Sequence, residues 1–174
     1  MNLKKLKIGS VVLAFLLSFP LHFIYDKFPC FISSIFFPVN ESIWEHMKIL
    51  FGALMIVGVI EHFLFTRKKV VGNNACFANF TAAILSIPMF LAMYLPVYHL
   101  IGEQMPITLS IMLITYFFCE IISYKIIKLK QLSFEYSTIL FVNIIYIIFT
   151  FLTYYPPKIN LFYDTKNNYY GIKK

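Results

Sequence analysis

Residues 43–65 read IWEHMKILFGALMIVGVIEHFLF. Polar side chains crowd the two ends of this stretch, and nothing between Lys48 and Glu61 carries a charge. About 20 mostly apolar residues suffice for a helix to cross a bilayer. Apolarity here is nearly continuous rather than one-sided, which favours a helix surrounded by lipid over one packed in a soluble bundle. It also departs from the outer-membrane strand, which alternates over roughly ten residues. Working outward, residues 8–25, 75–101, 107–127 and 133–155 have the same character. The chain therefore reads as an all-α integral membrane bundle of about five transmembrane helices. A single domain covers residues 1–155, and a tail covers 156–174. Residues 28–40, interrupted by Pro29 and Pro38, are too short to span and read as a re-entrant or interfacial segment.

Composition agrees. Of 174 residues, 60% are hydrophobic and 13% charged, against about 25% charged in soluble domains. The net charge of +7 does not point to nucleic acid, because the basic residues sit in short clusters between apolar runs. Such clusters are topology signals and attract anionic headgroups, so the partner they imply is the lipid bilayer. Lys4, Lys5 and Lys7 precede the first helix; Arg67, Lys68 and Lys69 follow the second; Lys125, Lys128 and Lys130 follow the fourth. Lys27 is alone in the loop after the first helix, and the loop after the third has no Lys or Arg. The expected orientation is N-terminus in and C-terminus out, although the tail carries Lys158, Lys166, Lys173 and Lys174. Phe19-Pro20-Leu21-His22 offers no small-x-small cleavage site, so the first helix is expected to be retained. Cys30, Cys76 and Cys119 show neither a disulfide framework nor zinc-ribbon spacing. Pro88 and Pro96 are expected to kink the third helix, and the tail tyrosines to rest on the membrane surface.

The most informative segment is Pro38-Val39-Asn40-Glu41-Ser42-Ile43-Trp44-Glu45-His46-Met47-Lys48. Part of it is a helix start: Asn40 or Ser42 as cap, Ser42 and Glu45 as a capping box, Glu41 and Glu45 at the positive end of the helix dipole, Trp44 as an interfacial anchor. The remainder suggests chemistry. His22 and Asp26 are four residues apart at the outer end of the first helix, and His99 and Glu103 repeat that spacing at the outer end of the third. Glu45, His46, His22 and Asp26 are therefore the candidate catalytic residues, with a histidine as proton carrier. The same four could ligate a divalent metal such as zinc, manganese or iron, though no motif such as HExxH demands one and the sequence names no cofactor. A second polar group lies at the cytoplasmic ends of the helices: Glu61, His62, Glu120 and Asn79. Glu45 and Glu61 are about 24 Å apart along one helix at 1.5 Å per residue, too far to share a site. Glu61 and Glu120, with Asn143 as a stepping stone, are the candidates for an ion path.

The 38–48 segment resembles the signature of a family of small bacterial multi-pass membrane proteins of unknown function. The tail is similar too, in Tyr155-Pro156-Pro157, Leu161-Phe162-Tyr163-Asp164 and Tyr170-Gly171-Ile172, and His22 with Asp26 fits the family's first helix. Glu61-His62 and Asp164-Thr165 depart from the Glu-Tyr and Asp-Pro expected there. The resemblance implies a five-helix protein of a bacterial cell membrane and implies no activity. Three functions fit: an intramembrane acid–base or metal-assisted enzyme on a lipid-like substrate; a non-catalytic membrane partner or assembly protein; and a small proton- or cation-coupled transporter or channel.

Overall fold

A computed structural model describes residues 2–67, 74–132 and 134–172. Lys68, Lys69, Ser133, Lys173 and Lys174, used above for topology and boundaries, lie outside them. The helices are α1 (Leu3–His22), α2 (Ile24–Lys27), α3 (Phe31–Phe36), α4 (Ile43–Arg67), α5 (Ala75–Ile101), α6 (Met105–Ile127) and α7 (Glu135–Tyr154). A 3-10 turn (Asn160–Phe162) and two short antiparallel strands, β1 (Tyr163–Asp164) and β2 (Tyr169–Tyr170), complete the tail. Among the described residues, five helical stretches are long and apolar enough to span a membrane: Leu3–Lys27, Ile43–Arg67, Ala75–Ile101, Met105–Ile127 and Tyr136–Tyr154.

Helices α1, α4, α5 and α6 close a ring in which each packs on two neighbours, while α7 lies outside it against α3 and α5. The ring is tight because small residues face its axis: Ala14, Ala53, Ala78, Ala82 and Ala83 are all essentially inaccessible. Backbones approach closely at such positions, as membrane helices do in the absence of a hydrophobic drive between them. Outward faces are apolar. Ile8, Val12 and Leu16 on α1 and Ile139, Leu140, Phe141, Ile147 and Phe151 on α7 are exposed, whereas Lys7, Ser10 and Ser18 on α1 are buried. Such an inside-out distribution suits a lipid solvent.

Helix ends are set locally. Asn2 caps α1, its Oδ1 accepting from the Lys4 and Lys5 amides at 3.0 and 3.3 Å. The first helix thus begins earlier than the apolar run, and Lys7 lies inside it rather than before it. Asn74, at φ 59°, donates to the carbonyls of Ile126, Leu129 and Lys130 and so closes the end of α6. Gly102, at φ 72°, stops α5, and Pro106 starts α6. Despite Pro88 and Pro96, α5 is one continuous helix.

The expected capping box at α4 is half made. The Glu45 amide bonds Ser42 Oγ at 3.3 Å, but the Glu45 carboxylate reaches past Ser42 to the Val39 amide at 3.1 Å. Nor does the tail lie flat: it folds back onto the start of α4. Asn40 Nδ2 donates to Gly171 O at 2.8 Å, and the Glu41 amide donates to Asp164 Oδ2 at 3.0 Å. Trp44 packs on buried Phe162 with ring centroids 5.0 Å apart, so its indole anchors the tail. Gly171 has φ 67°, and a Cβ there would sit 2.7 Å from Thr153 O, so this position needs glycine on two counts.

Candidate functional site

Three polar clusters result. The first lies where the N-terminus of α1, the end of α4, the start of α5 and the end of α6 meet, here called the basic end. The Lys7 ammonium sits 2.6 Å from Glu61 Oε2, 2.7 Å from Ser123 Oγ, 3.0 Å from Asn79 Oδ1 and 2.9 Å from Glu120 Oε2. Ser10 donates to the other Glu61 oxygen at 2.6 Å, and Ser123 donates to Asn79 at 2.9 Å. Every member is buried. Glu61 and Glu120 thus come together, around a lysine that lies inside α1 rather than before it. Its signal was present: Lys7, Ser10, Ala14 and Ser18 form a polar and small stripe at helical spacing in an otherwise apolar helix. His62 is exposed and does not join.

The second cluster lies at the opposite, tail end and is closed. Glu45 accepts from Val39 N at 3.1 Å, from Lys48 Nζ at 2.7 Å and from Thr153 Oγ1 at 2.7 Å. Lys48 also donates to Ser34 O at 2.8 Å and to Thr153 Oγ1 at 2.6 Å. The Lys48 side chain is fully buried. These bonds tie α3 and α7 to α4. Glu45 is therefore committed to a structural ion pair and faces away from its neighbour His46.

The third cluster, beside it, holds the two histidines. His22 Nε2 and His46 Nε2 are 3.1 Å apart, Glu41 Oε1 is 3.6 Å from His22 Nε2, and Glu41 Oε2 is 4.0 Å from His46 Nε2. All three side chains are about a quarter exposed. His46 Nδ1 is 2.8 Å from Ser42 O, an atom that only accepts. That ring therefore carries a proton on Nδ1 and turns its Nε2 toward His22 and Glu41. The Nδ1 of His22 is buried without a hydrogen-bond partner.

His46 and Glu41 open onto a cleft of about 70 Å³, whose wall includes Tyr94, Tyr98, Glu103 and Thr108. Lys166 of the tail reaches in, 2.8 Å from Glu41 Oε2 and 3.9 Å from Glu103 Oε1. Burial pushes the Glu41 carboxyl up, but the Lys166 hydrogen bond and the charges of His46 and His22 overcome it, so Glu41 lies below the usual carboxylate range. Lys166 is raised by the same hydrogen bond. Asp164 is lowered: burial acts upward, and bonds from Asn167, the Glu41 amide and the Lys166 amide act downward more strongly.

Of the four candidate catalytic residues, the structure brings together His22 and His46. Asp26 is exposed and makes no bond to them, because the chain breaks at Phe23 between α1 and α2 and the four-residue helical spacing no longer aligns the pair. The carboxylate at the site is Glu41, which precedes α4 and so does not share the face that helical spacing from Glu45 and Lys48 would give it. His99 is exposed. Asn143 is exposed on α7, outside the ring, and donates to Ile139 O at 2.7 Å, so it bridges nothing between the two ends. The buried polar pair inside the ring is instead Ser18 and Tyr116, 2.6 Å apart.

Two histidine nitrogens and a carboxylate within 4.8 Å of one another form a ligand set for a divalent ion. Tetrahedral zinc, with bonds of 2.0–2.1 Å, places its ligand atoms about 3.3 Å apart. The observed separations bracket or slightly exceed that value. The His46–Ser42 bond fixes the tautomer a metal requires, as backbone carbonyls commonly do behind ligating histidines.

Comparison with known proteins yields one match. A family described as "Family of unknown function (DUF6512)" matches residues 1–172. No curated protein and no solved structure matches.

Proposed function

The chain belongs to the DUF6512 family, and because that membership assigns no activity, we propose from the site itself that it is a multi-pass membrane enzyme. It carries out metal-assisted hydrolysis at the tail end of its bundle. The observation carrying this reading is the convergence of His22, His46 and Glu41 beside a cleft.

His22, His46 and Glu41 would hold the ion, three protein ligands being the number typical of catalytic rather than structural zinc. An ion so placed supplies a Lewis acid and a water that ionises near neutral pH. Glu103, Tyr98 and Thr108 on the cleft wall offer acceptors and donors to a polar group bound there. Lys166 supplies the positive charge that would favour an anionic one. The cleft is too small for an acyl chain, so the substrate is lipid-like: its polar head enters while its chain stays in the bilayer.

Basic residues at the other end, Lys4, Lys5, Arg67, Lys125, Lys128 and Lys130, support a reading in which that end faces the cytoplasm of a bacterial cell. The tail, the cleft and the short α3 segment then lie at the outer face. Residues 28–40 form an interfacial segment held to α4 and α7 by the Lys48 network.

The test is elemental analysis of protein purified without chelator, followed by turnover assays on extracted bacterial membrane lipids. The expected result is stoichiometric metal, turnover abolished by chelation and restored by zinc or manganese, and no turnover in His46→Ala. A parent protein without bound metal, or turnover unaffected by chelation, contradicts the reading.

A further inference from the structure

The cluster at the basic end has a charge count that its geometry does not balance. Lys7 brings one positive charge; Glu61 and Glu120 bring two carboxylates. Lys7 is 4% exposed, Glu61 1% and Glu120 3%. An uncompensated charge in such surroundings costs several kcal/mol even after relaxation.

The hydrogen bonds show where the imbalance falls. An ammonium has three N–H bonds, and those of Lys7 go to Glu61, Ser123 and Asn79. Both oxygens of Glu61 are engaged, one by Lys7 and one by Ser10. Glu120 Oε2 lies 2.9 Å from the ammonium but receives no hydrogen bond, although it is buried. Ser123, the nearest hydroxyl on its own helix, spends its proton on Asn79.

We propose that this cluster is a proton-binding site, in which Glu120 holds one exchangeable proton that brings the Lys7–Glu61–Glu120 group to neutrality. The titratable and charged groups around Glu120 are Lys7 from α1, Glu61 from α4 and the neighbouring buried thiol of Cys119 on α6; Asn79 from α5 and Ser123 are the neutral members. Access runs through Asn79. It lines a groove of about 450 Å³ between α4, α5 and α7, which also takes in exposed His62. Gly58 lets α4 and α5 approach closely beside Asn79, since a Cβ there would come within 2.9 Å of the Asn79 side chain. A proton entering along the groove meets the cluster at the residue shared between Lys7 and Ser123. The site is independent of the metal centre and survives if that reading fails.

Charge counting separates this site from a merely buried acid. With either carboxylate replaced by an amide, the remaining carboxylate and Lys7 already balance, and no proton is needed. The experiment is infrared spectroscopy of the purified full chain in lipid nanodiscs, following the carbonyl stretch of protonated carboxylic acids across a pH titration. The parent is expected to show one such group near neutral pH. Glu120→Gln and Glu61→Gln are each expected to show none, and Lys7→Met two. The proposal is overturned by a parent with no protonated carboxyl near neutral pH, by a band that survives in Glu61→Gln, or by a band seen only when sodium is withdrawn. The last outcome would assign the site to a metal cation. Should one variant fail to fold, the parent and the remaining carboxylate variant together decide the matter.

Discussion

Glu45 and His46 are adjacent in the chain and belong to different kinds of structure. The Glu45–Lys48–Thr153 network is closed: the carboxylate carries its own ammonium, and each polar atom finds a partner across three helices. Around His46 the opposite holds. Two imidazoles and a carboxylate converge, a quarter exposed, and the nearby cation is Lys166 from a half-exposed tail position. Ion pairs buried in a bundle lock it together; lone pairs that converge without a cation of their own are what a ligand completes. Proximity of polar residues in an apolar helix bundle is therefore a poor guide to function until the partners are counted.

The sharpest way to break this contrast is to open the closed side. Lys48→Met leaves Glu45 buried without its ammonium and is expected to cost about 3–5 kcal/mol. Pairing it with Glu45→Leu should recover most of that loss, read as thermal unfolding in detergent. If the single variant is as stable as the parent, Glu45 belongs with the open site. Next in size is Gly171→Ala, which combines a positive φ with a Cβ 2.7 Å from Thr153 O and is expected to cost about 1–3 kcal/mol. Because Trp44 is the chain's one tryptophan, loss of its packing on Phe162 should appear as a change in its fluorescence.

Acid should loosen the same clasp more gently. The carboxyl of Asp164 is held below its ordinary value, so its contribution is present above about pH 3.9 and is lost as pH falls through the lower folded value. Trp44 fluorescence should therefore change reversibly at strongly acid pH in the parent, and Asp164→Asn should abolish that transition. A transition unaltered in Asp164→Asn would place the titrating group elsewhere. Smallest of all is Asp26→Asn, at an exposed position off the site, expected to shift stability by no more than about 0.5 kcal/mol and to leave metal binding intact.

How much of this was readable from the sequence follows from the range of each interaction. Helices long and apolar enough to span a membrane are a property of local apolarity, and residues 43–65 alone declare the type. Glu61 and Glu120 could be matched by depth because each precedes a basic helix end. Lys7 could not, since a lysine near an N-terminus has an ordinary explanation as a loop charge; only its spacing to Ser10 and Ser18 hinted that it faces inward. Glu41 was hidden differently. It stands before α4, where helical periodicity gives no direction, and it is placed by a tail that returns across the whole length of the chain to bond it. Asp26 is exposed in α2, on the far side of the break at Phe23 from His22.

The central claim, that His22, His46 and Glu41 bind a divalent metal, is most directly tested by calorimetric titration of zinc into the chelator-stripped full chain. One ion per chain is expected, with affinity lowered at least about tenfold to a hundredfold in His22→Ala, in His46→Ala and in Glu41→Gln, and unchanged in Asp26→Asn. Absence of zinc binding in the parent, or binding that persists undiminished in His22→Ala and His46→Ala, would contradict it.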